Sequence, residues 1–425
     1  MERLRDAGVR VVPLKEPVDP ADDHAIAAAL RQASRDGAVV WLERGAAGRS
    51  PEPAAPKRAP TRRVAGAAGK IAGDAWRFIG RQLRGGSSLM IIPYIGFGNV
   101  TMLSVRGRVL DERAFRPQGL EDSGWRNLAA LYQRLESDEV RGARVRASFN
   151  GVETETLTDR GGYFQFEIAL PAPLERSGWH SVDLELPAPP GGAPVRAAAE
   201  VLVPPASARF GVISDIDDTV VWTNVTNKVN MALMLARLNP HTRRPFKGVA
   251  AFYRALHEGA AGNEANPVFY VSSSPWHLFE PLVEFMRLQG IPLGPLMLRE
   301  LSVRSLIKPE LARNHKLDKI ESILRAYPDL KFVLIGDSGE RDPEIYAEIL
   351  RRHPQSVRVI YIRNVNPDPQ RIEALDRLTE EVSNSGAQLV LAADSVAAAS
   401  HAAAEGLIRV EALAQVRQDK RSGDE

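Results

Sequence analysis

The chain has 425 residues, 44% hydrophobic and 25% charged, an ordinary globular composition with enough apolar material for two or three domains. A formal net charge of +2 gives no argument for nucleic acid, and the absence of cysteine excludes disulfides, thiol catalysis and thiolate metal sites. No run approaches the roughly 18 apolar residues needed to span a bilayer, and the charged stretch Met1 to Arg10 lacks the apolar core of a signal peptide. A cytoplasmic location is expected.

Residues 1–45 read as a small α/β segment of unassigned role. Val9 to Leu14 and Ala38 to Leu42 have strand character, and Asp22 and Asp23 suit the cap of a helix over Ala25 to Gln32. Residues 46–86 read as a linker carrying a basic amphipathic helix. Its first part is rich in Pro, Ala, Gly and Arg. In residues 63–84, Val64, Ala68, Ile71, Ala75, Phe78 and Ile79 fall on one helical side, and Arg63, Lys70, Arg77, Arg81 and Arg84 on another. Such a helix could lie on an anionic membrane, or dock on its own protein with the basic face solvated. Glycines at 66, 69, 73 and 80 weaken it as a helix.

Residues 87–206 read as a small antiparallel β-sandwich. Leu89 to Gly98 and Val100 to Leu110 have strand character. Ala143 to Phe149 and Glu153 to Thr158 flank Asn150-Gly151, a strong hairpin signal. Gly162 to Ala169, His180 to Leu186 and Arg196 to Val203 follow.

From 208 to 410, buried-type strands alternate with helical patterns. The strands are Phe210 to Ser214, Val268 to Ser272, Lys331 to Gly336, Val357 to Ile362 and Gln388 to Ala392. Helices are expected at His277 to Gln289, His315 to Tyr327, Pro343 to Arg352, Pro369 to Ser383 and Ser395 to Glu405. This order predicts an α/β fold with a doubly wound, mainly parallel sheet. Residues 411–425 read as a polar tail, frayed over Gln415 to Glu425.

Ligands of open parallel sheets gather at the carboxyl ends of the strands. Four such places carry polar residues. Asp215-Ile216-Asp217-Asp218-Thr219 crowds acids after an apolar strand, which is costly without a cation; an N-cap cluster is the plainer reading. Ser272-Ser273-Ser274 could bind phosphate oxygens, or Ser274 could cap a helix before Pro275. Lys316, taken to open a helix, opposes the dipole and suggests an anionic partner, against the reading of an ordinary surface lysine. Gly336-Asp337-Ser338-Gly339-Glu340-Arg341-Asp342 brings more acids, or is a strand-to-helix turn capped by Asp342.

In this order the four stretches resemble the motifs of the haloacid-dehalogenase superfamily. Ser214 to Val220, Tyr270 to Trp276, His315-Lys316 and Ile335 to Tyr346 look like the catalytic domain of the actin-patch-protein type of phosphatidate phosphatases, as does the stretch Arg244 to Tyr253. The resemblance implies a Mg²⁺-dependent phosphomonoester hydrolase that converts phosphatidate to diacylglycerol. Asp215 would be the nucleophile and Asp217 the acid–base. Thr219, Ser272 (or Ser273) and Lys316 would hold phosphate, with Lys308 a weaker match than Lys316. Asp215, Asp217, Asp337 and Asp342 would serve the metal. The insert Val220 to Asn266 would be a flap, with Arg243, Arg244 and Lys247 facing an anionic headgroup. Trp222 and Trp276 would touch an apolar substrate part or simply pack. The implied partners are an anionic phospholipid and, through residues 63–84, a membrane surface; no nucleic acid and no protein partner are expected. Two alternatives stand beside this: a soluble or protein phosphomonoester as substrate, or a non-enzymatic module using the acids as a metal clip.

Overall fold

The computed structural model describes residues 39–42, 89–111, 140–188, 193–216, 219–220, 248–300, 309–363 and 369–422. Asp217, Asp218, Trp222, Arg243, Arg244, Lys247, Lys308, the strand expected at Val9 to Leu14, the helix at Ala25 to Gln32 and the amphipathic stretch 63–84 lie outside them.

The described chain is a mixed α/β structure built on two sheets. The strands are β1 (Val39–Leu42), β2 (Leu89–Pro93), β3 (Gly96–Gly98), β4 (Met102–Asp111), β5 (Arg144–Phe149), β6 (Val152–Leu157), β7 (Tyr163–Ala169), β8 (Gly178–Leu186), β9 (Val195–Val203), β10 (Gly211–Ser214), β11 (Val268–Pro275), β12 (Leu296–Arg299), β13 (Phe332–Asp337), β14 (Val357–Arg363) and β15 (Gln388–Ala392). The helices are α1 (Val249–Glu258), α2 (Phe279–Gln289), α3 (Pro309–Ala326), α4 (Asp342–Arg352), α5 (Pro369–Ser385), α6 (Ser395–Ala404) and α7 (Ala412–Ser422).

One sheet has eight strands in the path β2-β4-β3-β9-β8-β5-β6, with β7 pairing β4. It is antiparallel except where β3 runs parallel to β9. Alternation along β7 and β9 buries every second residue, so Phe164, Phe166, Ile168, Ala197, Ala199 and Val201 enter one apolar core. The β5–β6 turn places Asn150 at φ 48° and Gly151 at φ 80°, the left-handed pair that a two-residue hairpin requires. The expected strand Leu89 to Gly98 is split into β2 and β3.

The other sheet is fully parallel, seven strands in the order β1-β15-β14-β13-β10-β11-β12. β10 and β13 are buried at every position. Strands buried on both faces need helices on both faces. One face packs against α1, α2, α6 and α7 through residues such as Val212, Val333 and Tyr361. The other packs against α3, α4 and α5 through Ile213, Leu334 and Ile362. The strand expected at Ala38 to Leu42 is the edge strand β1, paired with β15.

The two sheets meet through apolar contacts. Tyr94, after β2, stacks on Trp276 with ring centroids 3.9 Å apart and planes at 11°. Phe97 of β3 meets Phe269 edge-on, and the Tyr327 hydroxyl donates to the Gly98 carbonyl at 2.9 Å. Trp276 is buried in this stack, which gives it a packing role.

Three expectations need correction. Residues 412–422 are not a frayed tail: α7 buries Leu413 and Val416 against α1, and Lys420 pairs with Asp394 at 2.6 Å. The insert Val220 to Asn266 is not flap throughout, because α1 within it is a core helix with seven buried residues. α3 begins at Pro309, so Lys316 lies two turns inside the helix and the dipole argument for it fails.

Candidate active site

Strand order reverses between β10 and β13. From β10 the chain proceeds outward to β11 and β12, then returns to add β13, β14 and β15 on the other side. Such a reversal opens a crevice at the carboxyl ends of the two strands. Ser214 pairs with Ile335, so Asp215 and Gly336-Asp337 leave adjacent strands side by side.

Asp215, Lys316 and Asp342 form the centre, and all three are buried. Lys316 Nζ donates to Asp215 Oδ1 at 2.8 Å and to Asp342 Oδ1, and stands 3.7 Å from Glu340 Oε2. Burial alone would lower the Lys316 pKa. The charges of Asp215, Asp342 and Glu340 together outweigh it and hold the ammonium well above its usual range. Lys316 is therefore no surface lysine: it is the counter-ion of the acids.

Local structure fixes the acids in turn. Ser214 Oγ donates to the Asp215 carbonyl at 2.6 Å and shares a 2.5 Å hydrogen bond with the Tyr253 hydroxyl of α1. The Asp337 backbone N–H donates to Asp342 Oδ2 at 3.2 Å. Asp342 is the first residue of α4 and spends its carboxylate on Lys316 and Asp337, not on capping. Gly336 is required here, because a Cβ at this position would collide with the Asp342 carboxylate.

Asp337 Oδ1 accepts from the backbone N–H groups of Gly339 and Glu340 at 2.6 and 2.9 Å. Its Oδ2 is buried without a hydrogen-bond partner among the described residues. Burial and the neighbouring Asp342 charge push its pKa up to about 7, against the pull of those two N–H groups and Lys316. A carboxylate in that state lacks a cation.

Carboxylate oxygens of Asp215, Glu340 and Asp342 lie within 4.8 Å of one another and could hold a metal ion. Glu340 belongs to the 336–342 stretch, and the family motif assigns it no role. The Lys316 ammonium already occupies the space among these three acids. The unpartnered Asp337 Oδ2 is therefore the stronger sign of a cation position, and acids with no soft ligand suit a hard ion.

The remaining expected residues fall into place unevenly. Thr219 is buried at the strand exit, with its hydroxyl unpartnered among the described residues. Ser272 is buried and accepts from the Ser274 N–H at 2.8 Å, whereas Ser273 is half-buried. Ser274 is not the N-cap of the turn that follows: β11 continues to Pro275, which precedes a single 3-10 turn with no side-chain cap.

Residues 210–364 match the family described as phosphatidate phosphatase APP1, catalytic domain. Phosphatidate phosphatase APP1 of Saccharomyces cerevisiae is 34% identical over 177 residues, 41% of this chain and 29% of that protein. An uncharacterised protein of Schizosaccharomyces pombe is 31% identical over 256 residues, 57% of this chain and 40% of that protein. The chain thus spans less than half the length of either curated relative. A carbohydrate acetylesterase from Xanthomonas citri overlaps at 13% identity with a TM-score of 0.26, covering 71% of this chain and 68% of that one, which is too low to carry an argument. Over residues 210–364 the chain is thus similar to the catalytic domain of phosphatidate phosphatases of the APP1 type.

Proposed function

We propose that the protein is a Mg²⁺-dependent phosphomonoester hydrolase of the haloacid-dehalogenase kind that converts phosphatidate to diacylglycerol. The observation that carries the reading is the buried Asp215–Lys316–Asp342 cluster at the reversal of the parallel sheet. The substrate rests on the resemblance of residues 210–364 to a phosphatidate phosphatase catalytic domain. On this reading the parallel sheet with helices on both faces is doubly wound, and residues 87–206 form a β-sandwich in front of it.

Asp215 attacks phosphorus; the bond to the leaving oxygen breaks and an aspartyl-phosphate forms. Asp217, in the role the family resemblance gives it, protonates that oxygen. It then takes a proton from the water that attacks phosphorus, and the bond to Asp215 breaks to release phosphate. Lys316 fixes the Asp215 carboxylate and stays protonated throughout. Asp215, Asp337 and Asp342, with Asp217, would hold the metal, which when bound would supply charge neutralisation for the phosphoryl group. Thr219 and Ser272 would bind phosphoryl oxygens. Arg243, Arg244 and Lys247 would meet the headgroup. Residues 63–84 would lie on the membrane surface; no described helix is long and apolar enough to cross one.

Phosphate release from phosphatidate in mixed micelles, compared with a soluble aryl phosphate under Mg²⁺, tests the substrate. Preference for phosphatidate supports the lipid reading. Turnover of the aryl ester alone removes the lipid and leaves the mechanism.

A further inference from the structure

Arg299 ends β12 at the same carboxyl edge as Asp215, paired with Pro275 of β11. Alternation puts its side chain on the α3 face of the sheet. Met297 and Val271 enter the core on that side, and so does Ile213, two residues before Asp215. The Arg299 Nε is fully buried and has no hydrogen-bond partner among the described residues. Its pKa is lowered by burial, and no acid offsets that cost. A buried guanidinium nitrogen without an acceptor is expensive to maintain.

A cleft with further cationic groups adjoins the end of β12 through His315. His315 Nε2 contacts the Leu298 carbonyl at 3.1 Å, which brings α3 against the end of β12. His315 lines a cleft of about 540 Å³ between α3 and the eight-stranded sheet, together with Arg106 of β4 and Lys319 of α3. Burial pushes Lys319 down to about 8, and the Arg106 charge adds to that shift. Burial, then Lys319, Arg299 and Arg106, hold His315 down to about 4. The acids Glu167 and Asp318 also line the cleft, and Glu300 acts on Arg106 and Lys319. None of the three acts on Arg299. Lys316 is the cation committed to Asp215, so the Arg299 charge is left for another anion. Two strand spacings, about 10 Å, separate the lines of β10 and β12.

We propose that Arg299, with Arg106 and Lys319 in the adjoining cleft, is a second oxyanion site for a phosphate group other than the one Asp215 attacks. The group is a phospholipid headgroup or free phosphate, which share the chemistry that a guanidinium fork recognises.

The test is binding to the full-length chain: equilibrium dialysis of inorganic phosphate, and cosedimentation with phosphatidylglycerol vesicles against phosphatidylcholine vesicles. Arg299→Gln is expected to weaken at least one of them by about tenfold or more, the loss of a charge-assisted contact. Arg299→Lys, which keeps the charge, should recover part of it and controls for folding. Loss of vesicle binding identifies a headgroup; loss of phosphate binding alone identifies the free ion. The Arg299-dependent binding should persist in Asp215→Asn. The proposal is overturned if Arg299→Gln matches wild type in both assays, or if the effect disappears in Asp215→Asn. Because the readout is binding, a chain that hydrolyses nothing still gives an answer.

Discussion

Replacing Lys316 with methionine keeps the side-chain length and removes the only cation that the described site places among Asp215, Glu340 and Asp342. At 2.8 Å and an effective dielectric near 20, the Asp215 contact alone is worth about 6 kcal/mol of gross attraction. Desolvating the buried ammonium takes back several kcal/mol, so the intact cluster is worth much less than the sum of its attractions. Removing one partner is different, because two buried carboxylates are then left facing each other. The expected loss in metal-free protein near neutral pH is about 3–5 kcal/mol. The assay is urea unfolding in chelator, repeated at lower pH and with Mg²⁺. Protonation of the stranded acids should shrink the deficit as pH falls. Mg²⁺ at 100 times its dissociation constant should return about 2.7 kcal/mol if it binds only the folded chain. A deficit under about 1 kcal/mol, with no response to pH or Mg²⁺, would refute the view that Lys316 neutralises these acids.

Other consequences can be measured directly. Gly336→Ala should displace the Asp342 carboxylate and cut turnover by at least about tenfold, with the unfolding midpoint showing whether the chain stays folded. Leu413→Ala should cost about 2–5 kcal/mol in denaturant unfolding, because Leu413 is fully buried; a frayed tail would show no change. His315 and His401 are held down to about 4, chiefly by burial. Between that value and the unfolded value near 6.5, the unfolded chain binds protons that the native chain does not. Stability should therefore fall as pH drops through this window, by about 2 kcal/mol per histidine at pH 5. Unfolding free energies flat from pH 7 to pH 5 would contradict that burial.

Much of the site could be read from sequence because it sits where strand chemistry changes abruptly. Val212-Ile213 and Val333-Leu334-Ile335 are apolar, then Asp215 and Asp337 follow within a few residues, and only a crevice makes that order tolerable. Missed features depend on contacts distant in sequence. The link from Glu340 to Lys316 is tertiary and leaves no local trace. β12 is four residues long and follows Pro292, Gly294 and Pro295, which mask it. In α7 the polar residues hide the two apolar anchors, Leu413 and Val416. The start of α3 did carry a signal, since Pro309-Glu310 has the proline and acid of a first helical turn. The parallel contact of β3 with β9, which joins the eight strands into one sheet, links segments about a hundred residues apart that no local pattern connects.

The central claim is that Asp215 is the nucleophile. Acid-quenched turnover of radiolabelled phosphatidate, followed by peptide mapping, tests it most directly. Label on the peptide carrying Asp215, absent in Asp215→Asn, is the predicted result. Turnover that persists in Asp215→Asn, or label on another residue, would contradict the account.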